Sequence, residues 1–160
     1  MSLNDQNNTK KTRLNTSTES QGAEFLVLGN LLIEGITSYK TYHNFPGYDL
    51  VAVNPSNNTS ARIQVKSRYQ TSWDGFIINN FDCDFVVLAT LNRGNTRSKN
   101  KGVGVQAPNF YVFPVAYVKE VRDELNTWGK ISKSRMKDYQ AFENRWDLIA
   151  EFLNNVNATP

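Results

Sequence analysis

Residues 84–90, Asp-Phe-Val-Val-Leu-Ala-Thr, form an almost unbroken apolar run of the length of a β-strand. A strand that is apolar on both sides has to be covered on both sides, which is typical of a parallel or mixed sheet lying between helices. We therefore predict an α/β fold in which a mixed central β-sheet is flanked by helices.

Several shorter segments complete the predicted sheet. Alternation, β-branched residues and turn signals predict strands at residues 36–42, 48–53, 61–67 and 110–113, with a hairpin loop at 54–60, whereas residues 76–78 are ambiguous. Because side chains alternate across a strand, Gln64 and Lys66 should point to the same face. The opposite face of that strand then meets the core.

The predicted helices cover residues 23–32, about 115–125 and about 135–153. The first helix is apolar on nearly every side and ends at Gly35, with Glu24 as its one early charge. Its capping residues are predicted to be Thr18, Ser20 and Gln21. The last helix carries an apolar stripe at three- and four-residue spacing, which predicts that this side faces the core.

The composition narrows the domain organisation and the chemistry. A chain of 160 residues, of which 39% are hydrophobic, is long enough for one domain. Residues 1–17 are predicted to be a disordered polar tail, and residues 18–160 a single domain. One cysteine and one histidine exclude a disulfide framework, a Cys/His zinc site and a histidine-based triad. Cys83 is predicted to lie in the core and His43 on the surface, so catalysis would have to use carboxylates and lysine.

The net charge of +3 suits contact with a polyanion but does not by itself require one. Basic residues crowd two stretches, namely Arg93, Arg97, Lys99 and Lys101 in the first and Lys130, Lys133, Arg135 and Lys137 in the second. Each stretch is either a solvated loop or a loop that contacts phosphates. The polar N-terminal residues and the lack of a long apolar run predict a cytoplasmic protein without a membrane span.

Four polar residues form a candidate catalytic centre. Phosphodiester hydrolysis commonly uses a divalent cation held by hard oxygen ligands, together with a lysine that holds or helps deprotonate the attacking water. Asp49 opens the second predicted strand, and the hairpin can bring it to Gln64 and Lys66 on the third. Glu24 lies one turn into a buried helix, where a carboxylate without a partner is costly, so it is the natural fourth member.

At these positions the sequence resembles the restriction-endonuclease-like PD-(D/E)xK superfamily, in a Gln-x-Lys variant similar to the Mrr-like and Holliday-junction-resolvase-like branches. The superfamily motif is an aspartate, often after proline, followed by a hairpin and (D/E)-x-K. The matching residues are Gly47-Tyr48-Asp49-Leu50, Gln64-Val65-Lys66-Ser67 and, on the preceding helix, Gly22-Ala23-Glu24. The resemblance covers roughly residues 20–90 and implies a restriction-endonuclease-like core with the order α-β-β-β-α-β.

The resemblance implies an Mg²⁺- or Mn²⁺-dependent endonuclease that hydrolyses DNA. Asp49, Gln64 and Glu24 would hold the metal, and Lys66 would serve the water. Tyr48 stands where proline is frequent, which is a minor change. Gln64 stands where the superfamily has an acid, which removes one negative charge from the metal site. A homodimer is expected, because cutting both strands of a duplex usually takes two sites.

Two other interpretations stay open. In one, the chain is a catalytically weak or inactive nuclease-like module, or a subunit of a larger complex, that binds DNA without turnover. In the other, it is an unrelated α/β protein whose polar strand residues form surface pairs. For contact with DNA we predict Arg68, Arg93, Arg97, Lys99 and Lys101. Arg68 and the nearby Trp73 either contact nucleic acid or are half-buried edge residues.

Overall fold

The structure is a computed structural model that describes residues 16–42, 47–95 and 104–155. Its helices and strands, in chain order, are α1 (Thr16–Ile33), β1 (Ser38–Lys40), β2 (Leu50–Asn54), β3 (Thr59–Arg68), β4 (Gly75–Ile77), β5 (Phe85–Thr90), β6 (Asn109–Pro114), α2 (Val115–Glu120), β7 (Lys130–Ser132) and α3 (Asp147–Asn154). Two short 3₁₀ turns, Lys133–Arg135 and Tyr139–Phe142, lie between β7 and α3. None of the helices in the described ranges is long and apolar enough to cross a membrane.

Five strands form the central sheet in the order β1-β2-β3-β5-β6. β1, β2 and β3 form an antiparallel meander, β3 and β5 are parallel, and β6 is antiparallel to β5. All six residues of β5 are buried, as the apolar run predicts for a strand covered on both faces. The prediction of a mixed central sheet in an α/β fold is therefore confirmed.

Different elements cover the two faces of the sheet. On one face α1 and α3 build a first core, which includes Val27, Leu31, Leu50, Val87 and Ile149. On the other face the β4–β7 ribbon and the turns after it build a second core, which includes Trp73, Phe76, Val86, Leu88 and Ile131. Each large apolar side chain that is fully buried contributes about 1.5–3 kcal/mol. Cys83 is buried in the second core, as predicted, whereas His43 lies outside the described residues.

The connection from β3 to β5 differs from the predicted order. Residues 69–84 contain β4 and no helix, so the second helix of the α-β-β-β-α-β order is missing from this connection. β4 pairs with β7 instead, and the ribbon takes the place of a covering helix. This pairing requires a glycine: Gly75 has a φ of +144°, and a Cβ there would lie 2.2 Å from the carbonyl oxygen of Ile131.

The start of α1 also differs from the sequence prediction. The predicted capping residues Thr18, Ser20 and Gln21 lie inside its first turns, since the helix already includes Thr16. These side chains therefore do not mark the N-terminus of the helix, and the capping prediction is wrong. Residues 1–15 of the predicted tail lie outside the described part of the chain.

The predicted last helix, residues 135–153, is interrupted. Asn144 has a φ of +52°, which a right-handed helix does not allow, and its N–H donates to the carbonyl of Phe110 at 2.9 Å. The chain thus turns back onto β6 before α3 begins. The apolar stripe still faces the core, because Trp146 and Leu153 are buried there.

Candidate active site

β3 has an open edge beside the start of β2. Leu50, the first residue of β2, pairs with Ile63, so residues 64–68 of β3 continue without β2 as a neighbour. Backbone N–H groups along such an edge need other partners. Asp49 supplies one: its N–H donates to the Ile63 carbonyl at 2.9 Å, and its Oδ2 accepts the Val65 N–H at 2.7 Å. The carboxylate therefore lies beside the strand, near the plane of the sheet, where groups from both faces can reach it.

The backbone around Asp49 is fixed on both sides. Its carbonyl accepts hydrogen bonds from the backbone N–H and the hydroxyl of Thr41, both at 3.0 Å. Two residues upstream, Gly47 has a φ of +104°, and a Cβ there would lie 3.0 Å from the Cβ and from the carbonyl oxygen of Asp82. Glycine therefore allows the turn to pass close to Asp82. The position of the carboxylate follows from this held backbone.

Two charged side chains approach Asp49 from the α1 side of the sheet. Glu24 on α1 forms an ion pair with Lys40 on β1, and only 17% and 24% of these side chains are exposed. The Lys40 ammonium group also lies 4.8 Å from the centre of the Phe25 ring, which suits a cation–π contact. Both Glu24 and Lys40 are within electrostatic range of Asp49.

Lys40 is a site residue that the sequence patterns did not single out. β1 alternates, with Ser38 buried and Tyr39 exposed, so Lys40 shares the inward-facing side of the strand. An inward-facing lysine on a strand that packs against a helix with a glutamate would have indicated that Lys40 is a site residue. Lysine is rarely placed there unless it is paired.

Lys66 is a half-buried lysine on β3. Asp49 and Cys83 are within its electrostatic range, but its amine forms no hydrogen bond or ion pair with any residue in the described ranges. Burial lowers the pKa of Lys66, and the charge of Asp49 only partly offsets this effect. A lysine in this state suits the task of holding or deprotonating a water.

The pKa of the Asp49 carboxyl is raised. Burial is the largest cause, and the hydrogen bond from the Val65 N–H opposes it. The charge of Glu24 raises the pKa further, whereas the charges of Lys66 and Lys40 lower it. The structure thus groups Glu24 and Lys66 around Asp49, together with Lys40. The catalytic roles of these residues stay predictions.

Gln64 lies on β3 between Ile63 and Val65, whose backbones contact Asp49. Its side-chain Oε1 is buried and accepts no hydrogen bond from the described residues. An oxygen left in this state costs about 1–3 kcal/mol, so a partner from outside the described residues would stabilise it. Amide oxygens are hard ligands of the kind that Mg²⁺ and Mn²⁺ prefer.

The three predicted metal ligands carry few negative charges. No three carboxylate, imidazole or thiolate groups converge within residues 16–42, 47–95 and 104–155. The predicted donors are instead the carboxylates of Asp49 and Glu24, which are within electrostatic range of each other, and the amide oxygen of Gln64 on the neighbouring β3. Two carboxylates balance the charge of one divalent cation, and the third donor is neutral.

The predicted DNA-contacting residues in the described ranges lie near the C-terminal end of β3. Arg68 follows Lys66 by two residues, so both side chains lie on the same face of β3. Arg68 forms an ion pair with Asp74 at 3.2 Å. Arg93 is exposed, and its backbone N–H donates to the carbonyl of Tyr69 at 2.8 Å. The other predicted residues, Arg97, Lys99 and Lys101, lie outside the described residues.

Trp73 is a core residue rather than a surface for stacking bases. It is 8% exposed, and its ring packs 6.1 Å from that of Tyr111 and 5.3 Å from that of Tyr139, measured between ring centres. Of the two interpretations that the sequence left open for Trp73, burial at the edge of the second core is therefore the one observed.

A solved structure superimposes on most of the chain. It covers 85% of this chain and 92% of its own, with a TM-score of 0.52 and 20% sequence identity. It is the bacterial homing endonuclease I-Ssp6803I. At this identity the likeness is one of fold. No protein-family model matches the sequence, and no curated protein does either.

The likeness to this endonuclease agrees with the nuclease-like α/β fold that the sequence predicts. It does not extend to the Gln-x-Lys branch of the superfamily, which stays a prediction. A likeness at this identity likewise assigns no role to individual residues.

Proposed function

We propose that the protein is a divalent-metal-dependent endonuclease that hydrolyses phosphodiester bonds in DNA. The proposal rests on the arrangement at the open edge of β3. There a half-buried Asp49 carboxylate lies beside the strand that carries the unpaired oxygen of Gln64 and the half-buried amine of Lys66. Glu24 adds a second carboxylate. The likeness in fold to a homing endonuclease supports the same class of activity.

Asp49, Gln64 and Glu24 would hold Mg²⁺ or Mn²⁺ through their oxygen atoms. When bound, the cation supplies positive charge that stabilises the charge developing on the scissile phosphate and favours ionisation of water. Gln64 gives a neutral oxygen, so Glu24 provides the second negative charge of the donor set. Lys40 competes for Glu24, because the two form an ion pair in the free protein.

Lys66 has the role of positioning the attacking water and accepting its proton. Its lowered pKa enlarges the fraction of neutral amine near pH 7, and only the neutral amine can accept a proton. The ammonium group that results keeps a positive charge close to the phosphate. No carboxylate in the described ranges forms an ion pair with Lys66, so its amine is available for this role.

Cleavage of supercoiled plasmid tests the proposal. The full chain with Mg²⁺ or Mn²⁺ should produce nicked and linear DNA, and EDTA should prevent this. Lys66→Ala and Asp49→Ala should each lower the cleavage rate by at least about 100-fold, while circular dichroism shows a retained fold. The matched controls are Lys119→Ala and Asp147→Ala, because both residues are exposed outside the candidate site. They should cleave like the wild type.

Two outcomes contradict the proposal: cleavage that persists in EDTA, and unchanged cleavage by Lys66→Ala. The proposal also includes a homodimer on DNA, because two active centres are needed to cut both strands. Sedimentation velocity of the complex with a DNA duplex measures the number of copies bound.

A second function, DNA binding with little or no cleavage, is favoured by the charge of the site. Gln64 replaces an acid, and the described ranges hold no group of three carboxylate, imidazole or thiolate side chains, so cation affinity should be lower than in a three-acid site. In that case the protein binds DNA with a steep salt dependence but leaves plasmid intact even at saturating Mn²⁺. Gln64→Glu should then create or increase cleavage.

A further inference from the structure

A row of basic side chains continues from the candidate active site onto the β4–β7 ribbon. Arg68 follows Lys66 on the same face of β3, about 6–7 Å further along the strand. Lys130 opens β7. The carboxylate of Asp74, whose side chain is 70% exposed, joins the two: it accepts Arg68 Nη2 at 3.2 Å and Lys130 Nζ at 2.8 Å.

Two clefts meet at Asp74. One, of about 790 Å³, runs beside the end of β3, and its lining includes Ser67, Arg68 and Ser72 together with Glu19, whose carboxylate accepts the Ser67 hydroxyl at 3.3 Å. The other is a shallow, open depression on the ribbon, and its lining includes Lys130, Ser132, Lys133, Ser134 and Lys137. Hydroxyl groups and basic side chains are common contacts to the phosphate oxygens of a nucleic-acid backbone. The two clefts together therefore offer such contacts on both sides of Asp74.

The basic side chains of the ribbon have a rigid support. The Lys133 ammonium group lies 4.4 Å from the ring centre of Trp73 and 5.0 Å from that of Tyr139. Its backbone N–H donates to the carbonyl of Asp74 at 2.9 Å. The ribbon is formed by the antiparallel pairing of β4 with β7, and Gly75 allows the close approach of the two strands. Side chains that are already ordered lose less entropy when they bind a ligand.

We propose that the basic row of Arg68, Lys130, Lys133 and Lys137 binds the phosphate backbone of DNA next to the active site, and that Asp74 takes the place of a phosphate in the free protein. This inference rests on the proposed nuclease function. A carboxylate that holds a guanidinium and an ammonium group makes the same charge-assisted hydrogen bonds as a phosphate. DNA binding then displaces Asp74 from both partners, so Asp74 weakens DNA binding by competition and by repulsion.

Fluorescence anisotropy with a labelled DNA duplex in EDTA measures binding separately from cleavage. Lys130→Gln and Lys137→Gln should each weaken binding by about three- to tenfold for any sequence and reduce the slope of log affinity against log salt by about 1. Asp74→Asn should instead tighten binding by about three- to tenfold without reducing this slope. Lys119→Gln, an exposed residue on α2 outside both clefts, is the control and should bind like the wild type.

Unchanged binding by either lysine variant, or weaker binding by Asp74→Asn, overturns this inference, and plasmid cleavage by the wild type then leaves the proposed function standing. A wild type that neither cleaves plasmid nor binds the duplex removes the proposed function and this surface with it. Thermal unfolding of Asp74→Asn should change by only a few degrees, because ion pairs of an exposed carboxylate contribute little to stability. If Asp74 had a purely structural role, Asp74→Asn would not bind DNA more tightly while keeping the thermal stability of the wild type.

Discussion

The unpaired oxygen of Gln64 leads to a prediction in which a substitution at a half-buried residue stabilises the protein. Gln64→Met keeps the length and approximate volume of the side chain and removes the buried Oε1. Because an unsatisfied buried polar atom costs about 1–3 kcal/mol, the free energy of unfolding in EDTA should rise by about 1–2 kcal/mol. For a chain of 160 residues this raises Tm by about 2–8 °C. Most single substitutions lower stability instead.

Divalent cations should make the wild type more stable than Gln64→Met. A cation at 100 times its Kd stabilises the folded state by about 2.7 kcal/mol, and only the wild type keeps the oxygen of Gln64 as a ligand. Urea unfolding in EDTA and in saturating Mn²⁺ measures both effects. Gln140→Met is the matched control, because Gln140 is an exposed residue of a 3₁₀ turn. It should change the free energy of unfolding by less than about 0.5 kcal/mol in either buffer.

Two outcomes would overturn this prediction. If Gln64→Met loses more than about 1 kcal/mol in EDTA, the Oε1 atom makes a favourable contact in the folded protein and is not an unpaired oxygen. If Mn²⁺ stabilises the variant as much as the wild type, Oε1 is not a metal ligand. The second outcome would remove Gln64 from the donor set and leave two carboxylates as the only donors proposed here.

Three further substitutions test other parts of the structure. Asp49→Asn should raise Tm of the metal-free protein at pH 7. Because the pKa of the Asp49 carboxyl is raised in the folded protein, the protonated carboxyl favours folding below its ordinary pKa of 3.8. This contribution is lost as the pH rises through the pKa of the folded protein. Melting curves should show the gain shrinking towards pH 4, and a gain that does not vary with pH contradicts the reasoning. Lys40→Met removes the ammonium group beside Glu24, so Mn²⁺ affinity measured by calorimetry should rise on the order of tenfold. An unchanged affinity means that Lys40 does not compete with the cation. Gly75→Ala places a Cβ 2.2 Å from the Ile131 carbonyl oxygen and should lower the free energy of unfolding by at least about 2 kcal/mol. A urea curve that matches the wild type would show that the ribbon accommodates a side chain at this position.

Local patterns predict the part of the fold that is held together by neighbours in the sequence. β2 and β3 are joined by a short loop, so the hairpin fixes their register and brings Asp49 beside Ile63 and Val65 in the middle of β3. β5 could be recognised because burial on both faces leaves a continuous apolar run. The same patterns placed Glu24 in a helix with buried residues on either side of it, Ala23 and Val27.

Local sequence patterns do not predict features that depend on contacts between residues far apart in the chain. β4 and β7 are three residues long and lie more than fifty residues apart, so neither strand carries enough alternation to reveal the ribbon. The break at Asn144 exists because its N–H reaches β6, which the periodicity of residues 135–153 does not show. Lys40 acquires its role only through Glu24, sixteen residues earlier on another element.

Diffraction from crystals soaked in Mn²⁺ tests the metal centre most directly, because the anomalous signal locates the cation without assuming its ligands. We predict one strong peak about 2.0–2.4 Å from oxygen atoms of both Asp49 and Gln64, with Glu24 bound directly or through a water. Lys66 should lie close by without contacting the cation. A peak elsewhere on the protein, or no peak at saturating Mn²⁺, would contradict the claim that these side chains form a metal-dependent nuclease centre.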